Sequence, residues 1–153
     1  MSERSRAVVP QPPMPSPHED DGIWMRWANN WPTIAALGLR CTKLSTGSGL
    51  FGVDLDPFVP NPNGAVNGGI LAAMIDQAMG VLAARSTQEG YSPRTASLHV
   101  QYHRPVRAPL VIEASALPGG RRIQFVEVTV TAADGRRCAT GHGTMVIVPV
   151  RSG

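Results

Sequence analysis

The sequence is poor in charge, in aromatic rings and in cysteine, and each shortage removes a class of protein. Charged residues make up only 16% while 42% are hydrophobic, the reverse of the balance that keeps a whole chain disordered. Three Trp, three Phe and two Tyr supply too few stacking platforms for single-stranded nucleic acid. The two cysteines, Cys41 and Cys138, form no Cys-x-x-Cys pair, and His18, His99, His103 and His142 lack zinc spacing. The expectation is two ordinary thiols and no metal. The most apolar run, Gly68 to Ala84, is interrupted by Asp76 and Gln77, so no membrane span is expected. The first 20 residues hold five prolines and no apolar stretch; with no secretory leader legible, a cytoplasmic location is expected.

What is present is one domain's length, 153 residues, punctuated by 16 Gly and 14 Pro. The charge is uneven. Residues 1–21 carry Arg4 and Arg6 against Glu3, Glu19, Asp20 and Asp21, a net −2, and the remainder is +5 within the total of +3. Of the 14 basic residues only Lys43 is not arginine. Arginine's planar fork donates bidentate bonds to phosphate or carboxylate, so a basic body suits an anionic ligand. The excess is smaller than a nucleic-acid binder usually carries. An arginine-rich solvated surface is the plainer alternative.

Residues 1–20 read as a disordered Pro-rich tail, 21–149 as a single domain and 150–153 as a short tail. Trp24, Trp27 and Trp31 share one helical face, and Pro32 divides that region into two short helices. The Trp face either covers the core edge or lids a pocket. A hairpin is predicted around Gly47-Ser48-Gly49, then a rigid loop over Asp56 to Gly64. One helix follows, about Asn67 to Arg85, apolar nearly all round and so buried on most sides. After Gly90 the period becomes two. Strands are predicted around Thr95 to His103, where Leu98, Val100 and Tyr102 alternate with polar residues, and at Leu110 to Leu117, Arg121 to Ala132 and Arg136 to Val148. A bulge is expected between Phe125 and Val126, where the apolar parity shifts, and a tight hairpin at Asp134-Gly135. An all-round apolar helix needs a sheet curved about it, so the class is α+β with an antiparallel sheet.

The chemistry centres on Asp76, the one acidic residue between Asp56 and Glu89. An unpaired buried carboxylate is costly, so Asp76 is either a hydrogen-bonded structural residue or a general base or nucleophile in a cleft. Gly68-Gly69 falls in the first helical turn, where backbone N–H groups lack internal partners. Glycine lets a ligand approach them, which makes a candidate oxyanion hole for acyl transfer. Asn67 either donates its amide to the same oxygen or caps the helix. Gly68 and Asp76 are eight positions apart, about 12 Å along a helix. One chain cannot bring both to the same carbonyl. If both act, two helices lie antiparallel across a two-fold axis and each site is shared between subunits.

The run Asn61-Pro-Asn-Gly64-Ala-Val-Asn67-Gly68-Gly69, followed by Asp76, resembles the motif of hotdog-fold acyl-CoA thioesterases of the phenylacetate-degradation (PaaI-like) type. Those carry Asn-x-x-Gly-x-x-His-Gly-Gly with an Asp nine residues after the His. The resemblance covers roughly residues 33–148, including Tyr102-His-Arg-Pro105. It implies a curved antiparallel sheet wrapped round one long helix, in a homodimer or dimer of dimers. It assigns Asp76 as base or nucleophile, the Gly68 N–H as oxyanion donor and Asn61 as a loop-holding residue near the water or carbonyl. Thr95, or Ser97 on the same strand face, would position the attacking water, and His99 and His103 share that face. Substrate-binding candidates are Gly69, Tyr102 and, for the phosphates of coenzyme A, Arg104, Arg121, Arg122 and His142.

The departure is Asn67 in place of the usual His: it keeps a donor but cannot titrate. Hydrolysis of an acyl-CoA to free acid and coenzyme A is the expected activity, with no cofactor beyond the coenzyme A of the substrate. The alternatives are a non-catalytic acyl-CoA or acyl-carrier-protein binder, and a thioesterase acting on carrier-protein-bound acyl groups. No nucleic-acid or membrane partner is expected. A hotdog dehydratase or hydratase would need an Asp/His pair, and no His stands near Asp76 in the sequence.

Overall fold

A computed structural model of the protein describes residues 11–150. Two short helices come first, α1 (Asp21–Asn29) and α2 (Pro32–Ala36), then the hairpin of β1 (Leu39–Ser45) and β2 (Ser48–Val53). The long helix α3 (Gly68–Arg85) follows, and β3 (Tyr91–Tyr102), β4 (Leu110–Leu117), β5 (Ile123–Ala132) and β6 (Arg137–Pro149) complete the domain. All six strands form one antiparallel sheet in the order β1-β2-β4-β5-β6-β3. The α+β class and the sheet wrapped on one helix are as the sequence implied.

Each element has a local cause. Asp20 caps α1 through its side chain, which accepts from the Ile23 N–H at 2.8 Å. Pro32 stands at the first position of α2, where its missing N–H costs nothing. Gly47 turns the first hairpin with φ +95° and Gly135 the β5–β6 hairpin with φ +83°. In α3 nine residues are buried, among them Met74, Ile75, Ala78, Met79 and Leu82. They pack on inward residues of the strands such as Phe51, Ile112, Val126, Val130 and Met145.

The depth of α3 in the sheet is set by two glycines of β6. A Cβ on Gly141 would lie 3.1 Å from Ile75 Cγ2, and one on Gly143 would collide with Met79 Sδ. These two absent side chains let the helix settle against the strand.

Two features depart from the sequence reading. Pairing of β5 runs without a break through Phe125 and Val126; its irregularity falls between Val130 and Thr131. The parity shift instead marks Ile123 and Phe125, which face outward, 43% and 41% exposed, beside Leu117 and Val146. In β3, by contrast, the register shifts between Thr95 and Ser97, leaving Ala96 as the extra residue. Thr95 pairs with Met145 on the helix side, whereas Ser97 and His99 pair with Thr144 and His142 on the outer side. Thr95 therefore does not share a face with Ser97 and His99, as plain alternation implied.

Residues 1–10 and 151–153 of the two expected tails lie outside the described residues. Residues 11–20 carry no helix or strand, yet they lie against the body. The Trp27 indole N–H donates to the Pro12 carbonyl at 3.2 Å and that of Trp24 to the Ser16 carbonyl at 3.1 Å. Arg85 donates to the Pro17 carbonyl and pairs with Asp21 at 2.9 Å, with its guanidinium 5.5 Å from the centre of the Trp24 ring. Met14 packs on the core.

Candidate active site

The helix α3 presents its chemistry in two places. Asp76, half-buried in the middle turns, lines a cavity of about 400 Å³ with Thr95, Trp27 and Trp31. The Thr95 hydroxyl donates to Asp76 Oδ1 at 2.8 Å, a charge-assisted bond of ordinary length when the carboxylate is ionised. The rest of the wall is largely apolar, with Pro12, Met14 and Val81 beside the rings. A carboxylate held by one hydroxyl at the edge of an apolar cavity can take a proton from water next to a bound acyl group.

The N-terminus of α3 opens on a second cavity of about 290 Å³, whose lining includes Asn61, Gly68, Tyr102, His103 and Arg104. Asn67 caps the helix here: its side-chain oxygen accepts from the Gly69 N–H at 2.9 Å. Of the two readings of Asn67, the cap is present, and it occupies the Gly69 N–H. The Gly68 N–H has no acceptor among the described residues. Tyr102 donates its hydroxyl to the Gly68 carbonyl and so fixes that peptide unit from the opposite side.

Asn61 holds the loop leading into the helix. Its side-chain oxygen accepts from the Asn63 and Ala65 N–H groups at 2.9 and 3.1 Å, and its backbone N–H donates to the Ala65 carbonyl at 2.8 Å. The Val66 N–H donates to the Val106 carbonyl at 2.9 Å, tying the loop's end to the segment after β3. Gly64 turns the loop with φ +71°. Arg104 donates to the Arg137 carbonyl at 3.1 Å and is exposed at the mouth of the cavity.

The remaining predicted residues scatter. Ser97 and His142 stand on the outer face of the sheet, across from the helix; His142 Nδ1 lies 3.6 Å from Glu127 Oε1. Arg121 borders a third cavity, beside Ser86 and Thr87 past the C-terminal end of α3, with Arg122 next to it. The structure thus brings Thr95 to Asp76, and Asn61, Tyr102 and Arg104 to Gly68. It brings neither Ser97, His142 nor the Arg121–Arg122 pair to either group within one chain. The sequence reading gave no role to Pro12 or Met14; the methionine among the tail prolines was the available signal. Among the described residues no cluster of three or more His, Cys, Asp or Glu could hold a metal. No helix there is long and apolar enough to cross a membrane.

Comparison with known proteins places the chain in a family. The family model described as Thioesterase superfamily matches residues 63–139, the span from the glycine loop into β6. The proofreading thioesterase EntH of Klebsiella pneumoniae is 32% identical over 116 residues, 74% of this chain and 85% of the relative. Among solved structures, thioesterase HI1161 from Haemophilus influenzae superposes with a TM-score of 0.76 at 16% identity, covering 88% of this chain and 94% of that one. A Streptococcus mutans protein solved bound to acetyl CoA superposes with a TM-score of 0.66 at 21% identity, over 74% and 91% of the two chains. The chain belongs to the thioesterase superfamily, has the hotdog fold, and is a thioester hydrolase.

Proposed function

We propose that the protein hydrolyses acyl-CoA thioesters, with the acyl group in the apolar cavity beside Asp76. The observation that carries this reading is the Thr95–Asp76 hydrogen bond of 2.8 Å at that cavity's wall. Asp76 takes a proton from water as the water oxygen attacks the thioester carbon. The carbonyl oxygen becomes negative and is held by the free Gly68 N–H. The C–S bond then breaks, the carbonyl reforms, and the proton goes to the departing thiolate of coenzyme A.

Asp76 and Gly68 line separate cavities of the same chain, so the Gly68 N–H facing a given Asp76 belongs to a second copy. The working unit is a homodimer with two shared sites. Arg104, exposed at the mouth of the Gly68 cavity, meets the phosphates of coenzyme A. The S. mutans protein bound to acetyl CoA supports this choice of thiol carrier. Asn61 acts through the loop it holds, and the Asn67 side-chain oxygen caps the helix.

The test is thiol release from a panel of short, long and aromatic acyl-CoAs, with Asp76→Asn beside the wild type. Release by the wild type that falls about 10²–10⁴-fold in the variant, the range for loss of a general base, is expected. Equal release by both overturns the role of Asp76. No release from any acyl-CoA by the folded wild type overturns coenzyme A as the carrier.

A further inference from the structure

We infer that residues 11–17 form the end wall of the acyl cavity and set the longest chain it accepts, with Met14 as the stop. This deepens the proposed function and rests on its reading of the cavity beside Asp76 as the acyl site. Pro12 and Met14 line that cavity together with Trp27, Trp31, Asp76 and Thr95. The segment has no helix or strand of its own and is held in place by hydrogen bonds from the body.

The Trp27 indole both lines the cavity and donates to the Pro12 carbonyl at 3.2 Å. Its neighbours continue the stack: Trp24 stands edge-on to it at 5.4 Å, and Trp31 lies tilted at 5.5 Å. Trp24 is fully buried, and its N–H holds the Ser16 carbonyl. Arg85 fixes the Pro17 carbonyl. The anchors fall on both sides of Met14, so this half-buried, unbranched side chain is presented to the cavity by a pinned backbone.

A wall of this kind has a chemical consequence. An acyl chain gains affinity for each methylene it buries, about fourfold per methylene at the usual transfer energy. The gain ends where the chain meets Met14. The ligand class is therefore an acyl group of limited length, and its limit belongs to the segment preceding α1 rather than to the helix or sheet that carry the chemistry.

The experiment measures binding of S-alkyl-CoA thioethers, from ethyl to hexadecyl, to the full chain; thioethers cannot be hydrolysed, so the readout does not depend on turnover. Wild-type affinity is expected to rise about fourfold per methylene and then stop rising at one length. Met14→Ala removes Cγ, Sδ and Cε and empties space for about three methylenes, so its break point moves about three carbons longer. Trp27→Phe keeps an aromatic ring but drops the donor to Pro12, and its break point also moves to longer chains. Thermal melts establish that each variant is folded, and Trp27→Phe carries the test alone if Met14→Ala is not. A break point unmoved in every folded variant overturns the wall while leaving the thioesterase reading intact. Absence of any chain-length dependence in the wild type overturns the assignment of the cavity itself.

Discussion

Thr95 and Asp76 meet across 19 positions of chain, hydroxyl to carboxylate at 2.8 Å, because the register of β3 shifts immediately after Thr95. The hydroxyl has a single proton to donate, and here it points at Asp76 Oδ1, with Met145 Sδ 3.6 Å away as the alternative acceptor. Thr95→Ser keeps that donor and is expected to retain kcat within about threefold. Thr95→Val keeps the shape and loses the donor, so a fall in kcat of about tenfold, the scale of one charged hydrogen bond, is expected. Steady-state kinetics on one acyl-CoA distinguish the two; equal values for Ser and Val would remove the hydroxyl from the mechanism.

Gly68→Pro deletes the proposed oxyanion donor at a position where proline suits a helix start. Asn67 before it already has φ −57° and ψ 134°, the extended conformation that a following proline requires. The variant is expected to fold and to lose about 10²–10³ in kcat. Mixed with Asp76→Asn after joint denaturation and refolding, it should regain about a quarter of wild-type activity. Half of a random dimer population then has one intact shared site out of two. Mixtures no more active than the parent variants would mean that each site is built within one chain.

Asn67→Ala removes a helix cap and is expected to cost about 1 kcal/mol of stability in denaturant unfolding. Asn67→His restores the residue usual in the resembling family and should leave activity within about 100-fold, since a thiolate leaves readily without a strong proton donor. Loss of all activity in the folded His variant would give the amide a dedicated catalytic role.

Burial pushes the Cys41 thiol from 9.0 up to about 11. Between those values the unfolded chain gives up a proton that the folded chain keeps. Stability contributed by the buried neutral thiol is therefore full below pH 9 and falls as pH rises towards 11. The unfolding midpoint of the wild type should drop more steeply over that window than that of Cys41→Ala. Parallel curves would show that the thiol does not titrate as its burial requires.

The helix and hairpins were readable because their signals are local: apolar positions all round α3, Pro32 at a helix start, glycine at both turns. Asp76 was readable as a conflict, a carboxylate in an apolar helix, and Gly68 as a helix start without side chains. The facing of Ser97 was not readable. Polar residues at 95, 97, 99 and 101 satisfy plain alternation, and only pairing with β6 reveals that Ala96 is extra. The parity break in β5 misled for the converse reason, since Ile123 and Phe125 are apolar residues on the outer face. The ordered segment before α1 was hidden because proline-rich composition records the lack of regular structure, whereas its anchors are tryptophan and arginine donors elsewhere in the chain.

Arg85 closes α3 while holding Asp21, the Pro17 carbonyl and the face of Trp24. A helix turns about 100° per residue, so one residue added or removed between Asp76 and Arg85 would swing the guanidinium away from all three. The length of the helix is in this sense a calibrated dimension. An insertion before Val81 would also turn Val81 and Ala84 away from the cavity they line, so the wall beside Asp76 and the Arg85 anchor share one helical phase.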